Sequence, residues 1–189
     1  LSYWMSEYCI LGDNGGEING GGRDLGIDPA LYMARVIHND LTISNASAWH
    51  WWIAISPYNY KDGLIYIDKE KADGNFYESK MLWALGNYSK FIRPGYERVE
   101  VEIGDQKEQF PDLLVSAYQS VDQGDMVVIL VNSGIKEVQV NLSKDGRGNT
   151  IDNLYITSKN MDLQSLELES PAEKVTIPAR SIVTAVIKN

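Results

Sequence analysis

The stretch Leu85-Gly86-Asn87-Tyr88-Ser89-Lys90-Phe91-Ile92-Arg93-Pro94-Gly95 decides how this chain divides. Leading into it, Tyr77, Met81, Ala84, Leu85, Tyr88, Phe91 and Ile92 recur at helical spacing and fall on one face. Arg93-Pro94-Gly95 then stops the helix, because proline cannot continue the hydrogen-bond ladder and glycine tolerates the turn. The composition changes at the same point. All five tryptophans (Trp4, Trp49, Trp51, Trp52 and Trp83) lie before it, and the residues after it read as repeated short strands. We therefore expect two domains, 1–95 and 96–189.

Upstream, Leu1 to Ile10 reads as a buried strand, followed by a loop containing Gly12-Asp13-Asn14-Gly15-Gly16 and Asn19-Gly20-Gly21-Gly22. This loop is too long and flexible for a tight hairpin, and loops of that length are usually functional or disordered. Asp28-Pro29 predicts an N-cap followed by proline at the first helical position. Leu31, Ala34, Ile37 and Leu41 continue that helix. Ala46 to Ile55 predicts a second strand, and a loop rich in Tyr, Asn, Asp and Gly separates it from the helix before Arg93. The order strand, loop, helix, strand, loop, helix is a pair of βα units with parallel strands. Two such units cannot close a barrel alone, and they leave apolar surface uncovered.

Downstream, Val99, Val101 and Ile103 alternate with Glu100 and Glu102. Leu113–Gln119, Met126–Asn132, Val138–Leu142, Leu154–Thr157 and Ser181–Ile187 read as further strands, with Met126–Asn132 fully buried. Gln123-Gly124-Asp125, Asn132-Ser133-Gly134 and Asp145-Gly146-Arg147-Gly148 supply turns. Regular short strands with polar turns predict an antiparallel sandwich.

Composition removes several function classes. The chain has 189 residues, with 26 acidic and 17 basic, for a net charge of −9; 44% are hydrophobic and 23% charged. Excess acid argues against a nucleic-acid partner, which needs a basic face. The longest strictly apolar run, Met126 to Val131, falls far short of the roughly 18 residues that span a bilayer. Cys9 is the sole cysteine, so no internal disulfide or cysteine-built zinc site forms. With only His38 and His50, and no P-loop or dinucleotide fingerprint in the glycine-rich loop, no metal or cofactor is expected. Asn45-Ala46-Ser47, Asn87-Tyr88-Ser89 and Asn141-Leu142-Ser143 match the glycosylation acceptor pattern, which is common by chance.

Glu7 is the residue best placed for chemistry. It lies at the C-terminal end of an apolar strand, where sites sit in βα architectures, and it can act as nucleophile or base; pairing with an Arg or capping a loop are equally open roles. Trp4 and Tyr8 beside it suit a sugar face or a core. Asp13, Glu17 and Asp24 belong to the glycine-rich loop and offer no second carboxylate of fixed geometry. Trp49, His50, Trp51 and Trp52 end the second strand at the same mouth. Because alternate residues face opposite ways, one of Trp51 and Trp52 is expected in the site and the other in packing. A Cys9–His50 nucleophile and base pair has no further support in the sequence.

Several of these segments together resemble glycoside hydrolase family 30. Ser6-Glu7-Tyr8-Cys9 resembles the family's seventh-strand nucleophile motif, and Trp51-Trp52-Ile53-Ala54-Ile55-Ser56-Pro57 its eighth-strand motif. Phe76-Tyr77-Glu78-Ser79-Lys80, then Leu85 to Gly95 and Arg98-Val99, resemble the last barrel helix and its exit into a side β-domain; Ile177-Pro178-Ala179-Arg180-Ser181 resembles that domain's closing strand.

The resemblance implies an α/β partial (β/α)₈ barrel, its last two βα units at 1–95, followed by an all-β antiparallel sandwich at 96–189. It implies a retaining β-glycosidase, extracellular or periplasmic, needing no cofactor and acting on an oligo- or polysaccharide. Glu7 would be the nucleophile, forming a covalent glycosyl intermediate, and Trp51, at the matching eighth-strand position, would line the subsite of the attacked sugar, with Trp52, Tyr8 and His50 also about the substrate. The family's acid/base Glu belongs to a fourth strand that nothing here matches. Leu1-Ser2-Tyr3-Trp4-Met5 reads as a strand already under way, so we expect a C-terminal portion, inactive alone and prone to self-association through exposed barrel edges. Ile53-Ala54-Ile55-Ser56 replaces the arginines that hold an acidic sugar in the glucuronoxylanase branch, so a neutral glycan is expected, with the endo-β-1,6-galactanase branch closest in look. The alternatives are a non-catalytic carbohydrate-binding protein and a structural module that has lost the chemistry.

Overall fold

The computed structural model describes residues 2–104, 110–144, 147–148, 150–166, 168 and 174–188. The described residues are mostly β, with two α-helices, and form no closed barrel. The chain divides into two compact units, Leu1–Trp83 and Ala84–Asn189.

In the first unit, β1 (Trp4–Tyr8) and β2 (Ala48–Trp51) pair in parallel, joined through α1 (Ile27–Thr42). Helix α1 forms because Ile27, Ala30, Leu31, Met33, Ala34 and Ile37 line one buried face. Its N-cap is Gly26, not Asp28. The Asp24 carboxylate accepts the Gly26 N–H at 2.8 Å and shapes the turn, while Asp28 sits inside the first turn, where the helix dipole favours negative charge.

The expected strand Ala46–Ile55 is shorter than predicted, since β2 ends at Trp51. The stretch read as a loop after it holds a small sheet instead: β3 (Ile55–Ser56), β4 (Ile65–Ile67) and β5 (Phe76–Glu78), with β3 parallel and β5 antiparallel to β4. Buried Tyr66 anchors it, donating through its hydroxyl to Tyr60 O at 2.7 Å. The Ser56 hydroxyl donates to the Asp62 carboxylate at 2.9 Å, with both residues buried. Tyr77 pairs with Tyr66 across this sheet, so it does not begin the next helix. That helix, α2 (Lys80–Ser89), starts after Ser79, whose hydroxyl contacts the Gly63 and Leu64 carbonyls.

The division between units falls inside α2, ahead of the Arg93-Pro94-Gly95 seam. The reason lies in the second half of the helix. Asn87 donates to Thr157 Oγ1 at 2.6 Å, the Thr184 hydroxyl reaches Asn87 O and Oδ1 at 3.0 and 2.9 Å, and the Phe91 and Tyr155 rings meet at 4.5 Å. Polar and aromatic contacts thus commit residues beyond Ala84 to the following β-structure.

The second unit contains β6 (Tyr96–Val99), β7 (Leu113–Ser120), β8 (Met126–Asn132), β9 (Val138–Asn141), β10 (Ser143–Lys144), β11 (Arg147–Gly148), β12 (Asn153–Ser158), β13 (Met161–Leu166), β14 (Lys174–Ile177) and β15 (Ser181–Ile187). A six-stranded antiparallel sheet runs in the order β13-β12-β15-β8-β7-β6, beside two-stranded ladders β14-β9 and β10-β11. Strand β8 is buried at all seven positions because it has neighbours on both edges and both faces covered. Its Val128 and Leu130, with Leu113, Ile156 and Val183, pack against Val138, Val175 and Ile177 of the β14-β9 ladder, which makes the expected sandwich core. Two expectations need correction. Residues 100–104 are not a strand, because the pairing of β6 with β7 ends at Val99 and Ala117. Strands β13 and β14 stand where no strand is expected: β14 alternates exposed and buried residues over only four positions, and no residue of β13 is fully buried. The expected turn at Asp145-Gly146 lies outside the described residues.

Candidate active site

The register of β1 against β2 decides which side chains meet. Met5 pairs with Trp49 and Tyr8 with Trp51, so three steps on β1 oppose two on β2. This is a β-bulge. In an unbroken strand Met5 and Tyr8 would face opposite ways. The bulge turns Tyr8 onto the face of Trp49 and Trp51, and the three ring centroids lie 6.0–6.3 Å apart. Helix α1 closes this face. Tyr8 and Tyr32 share a hydroxyl hydrogen bond of 2.8 Å, and Trp49 Nε1 donates to Asp40 Oδ2 at 2.8 Å. Trp51 Nε1 donates to Asp62 O at 2.7 Å. Burial, followed by the Tyr32 bond, pushes the Tyr8 phenol well above its ordinary range. Tyr8 and Trp51 therefore sit in a packed aromatic layer.

Glu7, one residue before Tyr8, takes the opposite face. It is exposed, and among the described residues no hydrogen bond or ion pair engages its carboxylate. His50 shares this face, one residue from Trp51; it is exposed, and its ring meets the Trp4 ring edge-on at 6.2 Å. Trp52 continues the ladder, donating its N–H to Tyr8 O at 2.9 Å, and is 49% exposed. Of the residues read from sequence, the structure brings Glu7 and His50 to one face, and Trp52 is exposed in the bend just past β2. The structure sets Tyr8 and Trp51 on the other face.

The neighbouring candidates are engaged elsewhere. Asp13 accepts the Gly15 N–H, Asp24 the Gly26 N–H, and Glu17 pairs with Arg35 of α1. The Cys9 thiol is pushed up by burial and by the carboxylates of Glu7 and Asp62, opposite to what a nucleophilic thiolate needs. His38 lies on α1, where desolvation lowers its pKa. Among the described residues no cluster of His, Cys, Asp or Glu is arranged to hold a metal.

The glycine-rich loop is far more tightly held than its sequence predicts. Gly20 N bonds Gly12 O at 2.7 Å, and a short 3₁₀ turn covers Asn14–Gly16. The segment 59–61 clasps it: Gly22 N donates to Asn59 O, Arg23 N to Asn59 Oδ1, and Lys61 N to Gly20 O. Lys61 Nζ also caps the Gly21 and Gly22 carbonyls. The two loops that follow β1 and β2 are thus stitched together at the mouth of the strand pair. Sequence reading missed this seam because its signal, three glycines facing a Tyr-Asn-Tyr-Lys run, is long-range.

Residues 1–66 match the sequence profile described as O-Glycosyl hydrolase family 30. Glucuronoxylanase XynC of Bacillus subtilis is 27% identical over 165 residues, covering 84% of this chain and 34% of the relative. A crystal structure of a conserved exported protein from Bacteroides fragilis superposes with a TM-score of 0.78 at 31% identity, covering 98% of this chain and 39% of that one. The catalytic domain of GH30 xylanase C from Talaromyces cellulolyticus superposes with a TM-score of 0.76 at 24% identity, covering 100% and 41%, and so shows likeness of fold. The chain spans about a third of the length of the curated relatives it matches. The similarity is to family 30 glycoside hydrolases, among which xylanases are the named relatives; the galactanase branch gains no support.

Proposed function

We propose that this chain carries the nucleophile of a retaining β-glycoside hydrolase, with residues 1–95 as the last two βα units of its barrel and 96–189 as the side domain. The observation that carries the reading is Glu7 itself: an exposed carboxylate at the C-terminal end of a parallel strand, outside any ion pair among the described residues, facing away from the α1-packed layer. In this reading a Glu7 oxygen attacks the anomeric carbon, the glycosidic C–O bond breaks, and the departing oxygen takes a proton from an acid. Water then hydrolyses the glycosyl ester. Such an acid stands about 5–5.5 Å from the nucleophile in retaining enzymes. Asp13, Glu17 and Asp24 are engaged in local structure; the resemblance to family 30 puts the proton donor on a fourth strand that nothing in this chain matches, and in this reading the chain alone does not turn over natural glycosides. Loss of general acid catalysis costs ~10²–10⁴-fold by itself.

Trp51 stacks in the layer against α1 while Trp52, just past β2, is 49% exposed, which supports Trp52 rather than Trp51 as the wall beside the attacked sugar. The substrate class we propose is a neutral β-linked glycan. The xylanase relatives favour a xylan-type backbone over β-1,6-galactan, and Ile53-Ala54-Ile55-Ser56 places no cation beside Trp52. An extracellular or periplasmic setting accords with the exported protein from Bacteroides fragilis, and no described helix is long and apolar enough to cross a membrane.

A dinitrophenyl glycoside of 2-fluoro-xylose tests the assignment on this chain directly. Its leaving group departs without protonation, so the missing acid is not needed, and the fluorine slows hydrolysis of the ester. Mass spectrometry should find the sugar on the peptide containing Glu7, and Glu7→Gln should abolish it. A protein that binds xylo-oligosaccharides yet never labels at Glu7 is the non-catalytic module instead.

A further inference from the structure

Building on the reading that Glu7 attacks a glycan, we propose that Tyr60, set against the glycine run Gly20-Gly21-Gly22, is a second sugar-stacking platform on the rim, holding a neighbouring pyranose unit of the same glycan. Three aromatics are exposed on the loop after β2: Trp52, Tyr58 and Tyr60. Their surroundings differ. The Tyr58 ring is already covered by Lys69 Nζ, 4.8 Å from its centroid. The Tyr60 ring, 45% exposed, has no cation, ring or hydrogen-bond partner among the described residues.

The backbone beneath that ring is nevertheless fixed from several sides. Tyr60 forms an antiparallel bridge with Gly21, and Lys61 forms one with Ile10. Tyr66 Oη donates to Tyr60 O, and Asn59 and Lys61 bond Gly22 and Gly20. A rigidly mounted aromatic loses little freedom when a ligand stacks on it, which is what a binding platform requires.

Glycine opposite the ring supplies the space. Side chains directly across an antiparallel pair share a face, and Gly21 presents none to Tyr60. At Gly20 a Cβ would stand 2.5 Å from Ile10 O, so only glycine lets the loops approach so closely. The flat ring beside the glycine backbone, with the Asn19 side-chain oxygen that accepts the Gly21 N–H at 2.7 Å, matches a pyranose: the ring takes its apolar C–H face, and the peptide groups and the Asn19 amide take its equatorial hydroxyls. Ile10, bridged to Lys61, is three residues beyond Glu7, at most about 11 Å of extended chain. The platform is therefore within reach of a sugar close to the one attacked.

Titration of the chain with xylohexaose and with β-1,6-linked galactohexaose, followed by calorimetry, tests this. The unmodified chain should bind at least one of them. Tyr60→Ala should weaken that binding tenfold or more, Tyr60→Phe should keep most of it, and Tyr58→Ala should leave it unchanged. Gly21→Val, which puts a side chain over the floor, should weaken binding like Tyr60→Ala, with circular dichroism showing the fold intact. The proposal is overturned if the unmodified chain binds neither sugar, if Tyr60→Ala binds as well as the original, or if Tyr58→Ala loses as much. Labelling of Glu7 is read separately, so its absence with the platform intact counts against the nucleophile alone.

Discussion

Asn87→Ala should destabilise the second unit by an amount its hydrogen bonds set. Asn87 is fully buried; its Nδ2 donates to Thr157 Oγ1 at 2.6 Å, and its Oδ1 accepts from the Thr184 hydroxyl at 2.9 Å. Thr157 Oγ1 in turn accepts the Leu163 N–H at 3.2 Å, so the amide links α2 to β12, β13 and β15. Truncation removes both side-chain bonds, while Thr184 keeps the Asn87 carbonyl at 3.0 Å. Two net bonds are together worth about 1–3 kcal/mol. For a domain of this size that lowers the unfolding midpoint by roughly 4–12 °C. Asn87→Asp should be worse at neutral pH, because it buries a carboxylate facing Thr157 Oγ1 with no proton to donate. Desolvation raises that carboxyl's folded pKa, so its penalty should shrink as pH falls toward and below the ordinary value of about 4. Thermal unfolding by circular dichroism at pH 7 and pH 4 reads both effects. Midpoints for Asn87→Ala within 1–2 °C of the original, or an Asn87→Asp penalty independent of pH, would refute the reasoning. The same burial makes the Asn87-Tyr88-Ser89 acceptor pattern inaccessible to glycosylation in the folded protein.

Leu130→Ala in β8 deletes a fully buried side chain from the sandwich core and should cost about 2–5 kcal/mol in urea unfolding. Trp49→Phe removes the bond to Asp40 Oδ2; a loss of about 1–3 kcal/mol is expected, with labelling of Glu7 retained, because Trp49 lies in the α1-facing layer. Desolvation raises the phenols of Tyr8, Tyr66, Tyr88 and Tyr118, so the unfolded chain ionises first as pH climbs through about 10. Stability carried by these groups is intact below that pH and lost above it, which far-UV circular dichroism against pH should show as alkaline unfolding. Burial lowers the His38 pKa, so its contribution is present above the ordinary value of about 6.5 and lost as pH falls below it; His38→Asn should flatten the slope of unfolding midpoint between pH 7 and 5.

Much of the architecture is legible in local patterns. The βαβ order, the helical face Met81, Ala84 and Tyr88, and the buried strand Met126–Asn132 all follow from periodicity, because each buries one face or one continuous run. The β3-β4-β5 sheet escapes such reading. Its strands have two or three residues each, and what fixes them is the buried Tyr66 hydroxyl and the Ser56–Asp62 pair, contacts no periodicity encodes. The glycine-rich loop misleads for a similar reason. Glycine signals freedom in the unfolded chain, yet here its missing Cβ permits close approach, and close approach is what immobilises the loop.

The candidate site illustrates the same limit at finer scale. Position at a strand end singles out Glu7, and alternation says that Trp51 and Trp52 must part company, but alternation alone cannot say which of them accompanies the carboxylate. The one-residue bulge between Met5 and Tyr8 decides it, since it inverts the parity of β1 relative to β2 just before the strand ends. Without the bulge Glu7 would point into the layer of Trp49 and Trp51, and Tyr8 would turn to the open face. With it, the apolar tyrosine fills that layer and the charged group is delivered to the open face. A feature that costs one ladder pairing thus separates the packing face of this strand from the face on which we propose its chemistry.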